Sequence, residues 1–99
     1  MSEVNNEIAI ALKKVKSTLR VSNKSFKKFI QDEPDVINGL EKIEDREISL
    51  ITLYQLSWFA NIKWLESCDC KQKNKVERVR TTRELRDACN KEIMRRLKL

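Results

Sequence analysis

Histidine is absent from the 99-residue sequence, and glycine and proline occur only once each. Without histidine, the chain has no Ser/His or Cys/His pair for nucleophilic catalysis. With a single glycine, it has no glycine-rich loop to hold a phosphate. No pair of carboxylates stands out by its spacing either. These absences indicate that the chain is not an enzyme.

Cysteine is scarce and its spacing does not suit a metal. Cys68, Cys70 and Cys89 contain no C-x-x-C pair. A zinc site would need all three thiolates and a carboxylate, because there is no histidine. We therefore expect free thiols in a reducing compartment, with Cys89 buried as a small apolar side chain. No metal and no cofactor is predicted.

Long apolar runs are also missing. No stretch approaches the roughly 18–20 consecutive apolar residues that a membrane span needs, and the N-terminal MSEVNNEI lacks a basic-then-apolar signal pattern. A cytoplasmic location without a membrane partner is predicted. What the chain does have is Lys, Glu, Leu, Ile and Arg in abundance, with few turn-forming residues. That composition predicts an all-α fold with one modest core.

The net charge of +6 is unevenly distributed along the chain. Residues 71–99 hold 11 Lys/Arg and 4 Asp/Glu, whereas residues 1–70 hold 10 and 11. Within the first part, residues 13–28 contain seven bases and no acid, and residues 32–47 contain seven acids. The basic segments suit a polyanionic partner, and the acidic segment suits a basic one.

Apolar spacing predicts the first helices. Residues 5–20 place Ile8, Leu12, Val15 and Leu19 on one helical face. Residues 22–41 then carry two short apolar stripes separated by a polar break that ends at Pro34. Because proline suits the first turn of a helix and not its interior, this stretch predicts two short helices joined by a tight turn.

This stretch and its flanks resemble the phage repressor and Cro helix-turn-helix family, also called the XRE family. The likeness rests on VSNKSF at 21–26, INGLE at 37–41, a fourth predicted helix over 48–60 and a short fifth helix over 62–65. It covers about residues 8–66 and implies a five-helix repressor-like helix-turn-helix bundle. It also implies an ion pair between Lys16 and Glu41 that fixes the first helix against the third.

The resemblance implies that the third helix reads double-stranded DNA. Its base-reading candidates are Asp35, Val36, Asn38 and Gly39, of which Asn38 fits best because asparagine pairs with adenine. The candidates for phosphate contacts are Ser22, Asn23, Lys24, Lys42 and Arg46. The acids around this helix are repelled by DNA, although those in its first turn also complement the helix dipole.

Beyond the resemblance, residues 67–80 are predicted to form a polar linker and residues 81–99 a basic amphipathic helix. Thr81 and Glu84 have the spacing of a capping box. The apolar stripe of this helix includes Leu85, Cys89, Ile93 and Leu97. Three interpretations stay open: packing back onto the domain formed by residues 1–66, pairing with the same helix in a homodimer, or a basic arm on nucleic acid.

The sequence therefore predicts a small, sequence-specific DNA-binding transcription regulator, a repressor from a phage or mobile element that acts as a homodimer. The alternative is a protein-binding module, such as an antirepressor or an antitoxin-like partner. In that case the acidic third helix would meet a basic surface on another protein. A steep salt dependence of DNA binding would distinguish the first function from the second.

Overall fold

The described part of the chain is all-helical, as predicted. The computed structural model describes residues 3–21 and 48–98, with side chains from residue 7 onward. These residues form α1 (Glu3–Leu19), α2 (Leu50–Cys68) and α3 (Lys75–Leu97), and none of them belongs to a strand. The second and third helices predicted within 22–47 lie outside the described residues. No helix in the described ranges has both the length and the apolar content to cross a bilayer.

Helix α1 follows the apolar spacing of its sequence. Ile8, Leu12 and Val15 are fully buried, and Leu19 packs against the same core. After Leu19 the chain leaves the helix through Arg20, whose φ of 55° is left-handed. The N–H of Val21 then donates to the carbonyl of Lys16 over 3.2 Å. This bond satisfies one of the last helical carbonyls and defines where the chain turns away from α1.

Helix α2 begins after Ser49, inside the predicted fourth helix, and runs further than predicted. The Ser49 hydroxyl accepts a hydrogen bond from the Thr52 N–H at 3.1 Å, which satisfies a free donor of the first turn. The separate fifth helix predicted over 62–65 is instead the continuation of α2. No glycine or proline interrupts residues 50–68, and Ser67 donates its hydroxyl to the Lys63 carbonyl at 2.7 Å inside the last turns.

Helix α3 begins six residues earlier than predicted. The capping box predicted at Thr81 is wrong, because Thr81 and Thr82 lie inside the helix and donate their hydroxyls to backbone carbonyls one turn back. Residues 75–80 are mostly good helix formers, and an ion pair joins Glu77 to Arg80 within them. The polar linker predicted over 67–80 is therefore a short connection over residues 69–74.

A single core joins the three helices. α3 packs against both α1 and α2, and Leu85, Cys89 and Ile93 are buried with the core residues of the other two helices. Ser57 of α2 also donates its hydroxyl to Oδ1 of the Asn90 side-chain amide at 2.6 Å. The division predicted between residues 1–66 and 81–99 is thus not a division of the core. Of the three interpretations of the last helix, the structure supports packing onto the rest of the chain.

The thiols differ sharply in accessibility. Cys89 is fully buried, as predicted, and burial raises the pKa of its thiol to about 12. Cys68 and Cys70 are partly exposed free thiols. Because the thiolate is the reactive form, we expect a thiol-specific reagent at pH 8 to label two cysteines of the native protein quickly. The third should react only after unfolding in urea, and rapid labelling of all three would contradict the burial of Cys89.

Candidate nucleic-acid interface

A polar hollow lies where α1 ends and α3 begins. Its volume is about 480 Å³. The described residues that line it come from the end of α1, from the connection before α3 and from the first turn of α3. They are Thr18, Arg20, Gln72, Lys73, Asn74 and Arg78. We call this site the basic hollow. It brings together residues that are more than 50 positions apart in the sequence.

Asn74 organises the basic hollow. Its side-chain amide Nδ2 donates to the Thr18 carbonyl at 3.5 Å, which ties the connection to the end of α1. Its Oδ1 accepts from Nε of Arg78 at 3.0 Å. Asn74 makes no side-chain capping bond to the backbone of α3. Its side chain instead holds Arg78 and α1 in place on either side of the hollow.

Among the residues that the structure describes, the basic hollow concentrates positive charge without a compensating acid. Arg20, Lys73 and Arg78 line it, and no acidic residue is among the described residues around it. Within residues 3–21 and 48–98, none of these three cations forms an ion pair with a carboxylate. Such a group of cations favours a bound anion, since a charge-assisted hydrogen bond to an anionic oxygen is stronger than a neutral one. The hydroxyl and amide groups of the hollow add donors for the same oxygen atoms.

Most arginines of α3 pair with carboxylates and are therefore less available to bind an anion than the sequence suggested. Arg80 pairs with Glu77 and Arg86 with Asp87. The guanidinium of Arg86 also lies 4.6 Å from the ring centroid of Trp64, a cation–π geometry that joins α3 to α2.

Glu92 is a buried carboxylate held by two arginines. It is 3% exposed. Arg95 donates to both of its carboxylate oxygens, at 2.8 and 2.6 Å, and Arg96 donates to Oε1 at 2.9 Å. These hydrogen bonds, with that of Arg95 the strongest, lower the pKa of Glu92 to about 2. The signal in the sequence was the spacing of Glu92 three and four positions before the arginines.

A second groove differs from the basic hollow in its charge. It lies between α1 and α3 and has a volume of about 420 Å³. Its described lining mixes three acids and two lysines around an apolar floor, and consists of Glu7, Ile10, Ala11, Lys14, Glu84, Asp87, Ala88 and Lys91. Because its acids would repel a polyanion, this groove is not a candidate phosphate site.

The site residues predicted from the resemblance lie mainly outside the described residues. This applies to the base-reading candidates Asp35, Val36, Asn38 and Gly39, to the phosphate candidates Ser22, Asn23, Lys24, Lys42 and Arg46, and to Glu41. Lys16 is half-buried in the last turn of α1.

Three residues of the predicted dimer stripe, Leu85, Cys89 and Ile93, are in the core, whereas Leu97 is 43% exposed. Their burial leaves them unavailable for a contact with another chain in this fold. The basic hollow itself was missed, although the KQKNK run at 71–75 contained a signal for it. What could not be read from the run is that it meets Arg20 at the end of α1.

Comparison of the chain with protein-family models, with curated proteins and with solved structures found no match. The resemblance to the phage repressor family stays a prediction that rests on the residues quoted above.

Proposed function

We propose that the chain is a small DNA-binding transcription regulator whose basic hollow contacts backbone phosphates of double-stranded DNA. The observation that carries the proposal is the convergence of Arg20, Lys73 and Arg78 in one hollow without an acidic partner among the described residues. Guanidinium, ammonium and amide donors are the groups that proteins use most often to contact phosphate oxygens. Phosphate contacts of this kind supply affinity and position the protein on the duplex.

The sequence around the hollow supports the same partner. Arg20 precedes Ser22, Asn23 and Lys24 by two to four positions, and the resemblance assigns phosphate contacts to those three residues. The hollow would therefore extend a phosphate-binding segment that begins in the predicted helix-turn-helix. Discrimination between DNA sequences would come from the predicted third helix, with Asn38 as its principal reader of bases. Regulation would follow from occupation of operator DNA, as in a repressor from a phage or mobile element.

Neutralising the hollow tests this function. We expect Arg20→Gln and Lys73→Gln each to weaken binding to double-stranded DNA about fivefold to tenfold at 0.1 M salt. Each should also reduce the slope of log K against log salt by about 1, since one phosphate contact is lost. Fluorescence anisotropy with a labelled duplex measures both quantities. Lys13→Gln is the matched control, because Lys13 is exposed on α1 outside the hollow.

Two results would contradict this function. Hollow variants with the affinity and salt slope of the native protein would exclude the basic hollow as a DNA contact. Absence of DNA binding by the native chain would favour the alternative function, a protein-binding module of the antirepressor or antitoxin type. That alternative rests on the acidic segment 32–47, which lies entirely outside the described residues.

A further inference from the structure

Helix α2 is apolar on two opposite sides. One side is buried in the core through Leu53, Leu56, Phe59 and Ala60. The other carries large apolar side chains that remain exposed: Ile51 is 61% exposed, Tyr54 49%, Trp58 63% and Leu65 51%. A helix that packs on one side usually presents polar residues on the other. A contiguous exposed apolar surface on a folded protein is a candidate interaction site.

The spacing of these residues is symmetric about Trp58. With the half-buried Ile62 included, the apolar positions are 51, 54, 58, 62 and 65, which follow at steps of 3, 4, 4 and 3. Such steps keep all five on one helical face. At a rise of about 1.5 Å per residue, this outer face of α2 is about 21 Å long. Read in either direction from Trp58, it presents apolar side chains at the same distances.

Charge is almost absent from the outer face. The only Asp, Glu, Lys or Arg residues in α2 are Lys63 and Glu66, and these two pair with each other at 3.3 Å. A second copy of the same face can therefore approach without burying an unpaired charge or placing like charges together. Aromatic residues are enriched at the centres of protein interfaces, and here the centre of symmetry is a tryptophan.

We propose that the outer face of α2 is a homodimer interface in which two copies of the helix pack antiparallel across a two-fold axis. A two-fold interface requires that residue i meet residue j and residue j meet residue i. The symmetric steps satisfy this requirement: Trp58 meets Trp58 of the partner subunit, Ile51 meets Leu65 and Tyr54 meets Ile62. The dimer needs no DNA, so this inference stands apart from the proposed function.

The dimer should be of moderate strength. A contact between two helices about 21 Å long lies at the small end of specific interfaces, which are often transient. Sedimentation equilibrium of the full chain between about 1 and 200 μM should therefore give a monomer–dimer equilibrium with a dissociation constant in the micromolar range. A molecular mass equal to that of the monomer at every concentration would overturn the proposal.

Trp58→Glu is the principal variant. It places two carboxylates together at the two-fold axis, and we expect the dissociation constant to rise at least about 30-fold, as for loss of an interface hot spot. Because Trp58 is 63% exposed, the helical circular dichroism should be retained. Ile10→Glu is the matched control: Ile10 is an apolar residue of α1, 57% exposed and away from this face, and its replacement should leave the dimer intact. Equal dimerisation of Trp58→Glu and native protein would overturn the interface.

A pair of complementary variants tests the antiparallel register. Ile51→Lys and Leu65→Glu should each weaken self-association. A mixture of the two should form heterodimers, because Lys at 51 in one subunit then faces Glu at 65 in the other. A mixture that stays as monomeric as its components would contradict the antiparallel pairing. A parallel dimer would give that same result, since position 51 would then meet position 51.

Discussion

Leu85→Ala is expected to lower the free energy of unfolding by about 2–5 kcal/mol, the largest effect that we expect from a single substitution in α3. Leu85 is fully buried in the core that α3 forms with α1 and α2. Removing its side chain loses apolar burial and leaves a cavity that its neighbours fill only in part. Urea unfolding followed by circular dichroism measures the change.

Leu97→Ala is the matched control for this prediction. It makes the same chemical change in the same helix, but Leu97 is 43% exposed, so the loss should stay below about 1 kcal/mol. Total stability for a chain of this size is about 5–15 kcal/mol, and the Leu85 variant should therefore be partly unfolded on mild heating. Equal effects of the two substitutions would mean that α3 is not part of the core.

Glu92→Gln is expected to destabilise the protein by about 2 kcal/mol at pH 7, because it removes charged hydrogen bonds from a buried carboxylate. The loss is smaller than for a fully buried ion pair, since the Arg95 side chain is 63% exposed and its charge is screened by water. Glu84→Gln, at an exposed position of the same helix, should change stability by less than about 0.5 kcal/mol.

The pH dependence of stability tests the role of the Glu92 carboxylate in a second way. Arg95 and Arg96 lower the pKa of Glu92 from 4.5 to about 2 in the folded protein. The unfolded chain therefore takes up a proton near pH 4.5, whereas the folded protein does so only near pH 2. The stabilisation is present above pH 4.5 and is lost as the pH falls towards 2. Unfolding curves for native protein and Glu92→Gln should thus converge over this range, and a constant difference would contradict the network.

The elements of the fold that follow from local rules could be predicted from the sequence. The spacing of Ile8, Leu12 and Val15 predicted the buried face of α1. Cys89 was predicted to be buried, and it is. Each of these rests on residues within about one or two helical turns of one another.

The features that were not predicted have two causes. One is competition between a cap-like residue and the helix formers before it, and the other is contact between residues far apart in the sequence. Thr81 has the side chain of a cap, but the helix formers before it carry α3 back to Lys75, and its hydroxyl then bonds the Glu77 carbonyl. Residues 62–65 looked like a separate helix by analogy, although nothing in the sequence ends α2 before them. The basic hollow needs Thr18 and Asn74 to meet, and spacing along the chain carries no information about such a contact.

The most direct test of the proposed DNA-binding function is the salt dependence of DNA binding by the full chain. The full chain is needed because α3 contributes to the core, so a fragment that ends near residue 70 would lose part of its fold. The duplexes would be the region upstream of its own coding sequence and a scrambled control. We expect preference for the upstream duplex and a slope of log K against log salt of about −3 or steeper, since three phosphate contacts contribute about −0.9 each. No binding at about 50 mM salt, or binding that does not weaken as salt rises, would contradict it.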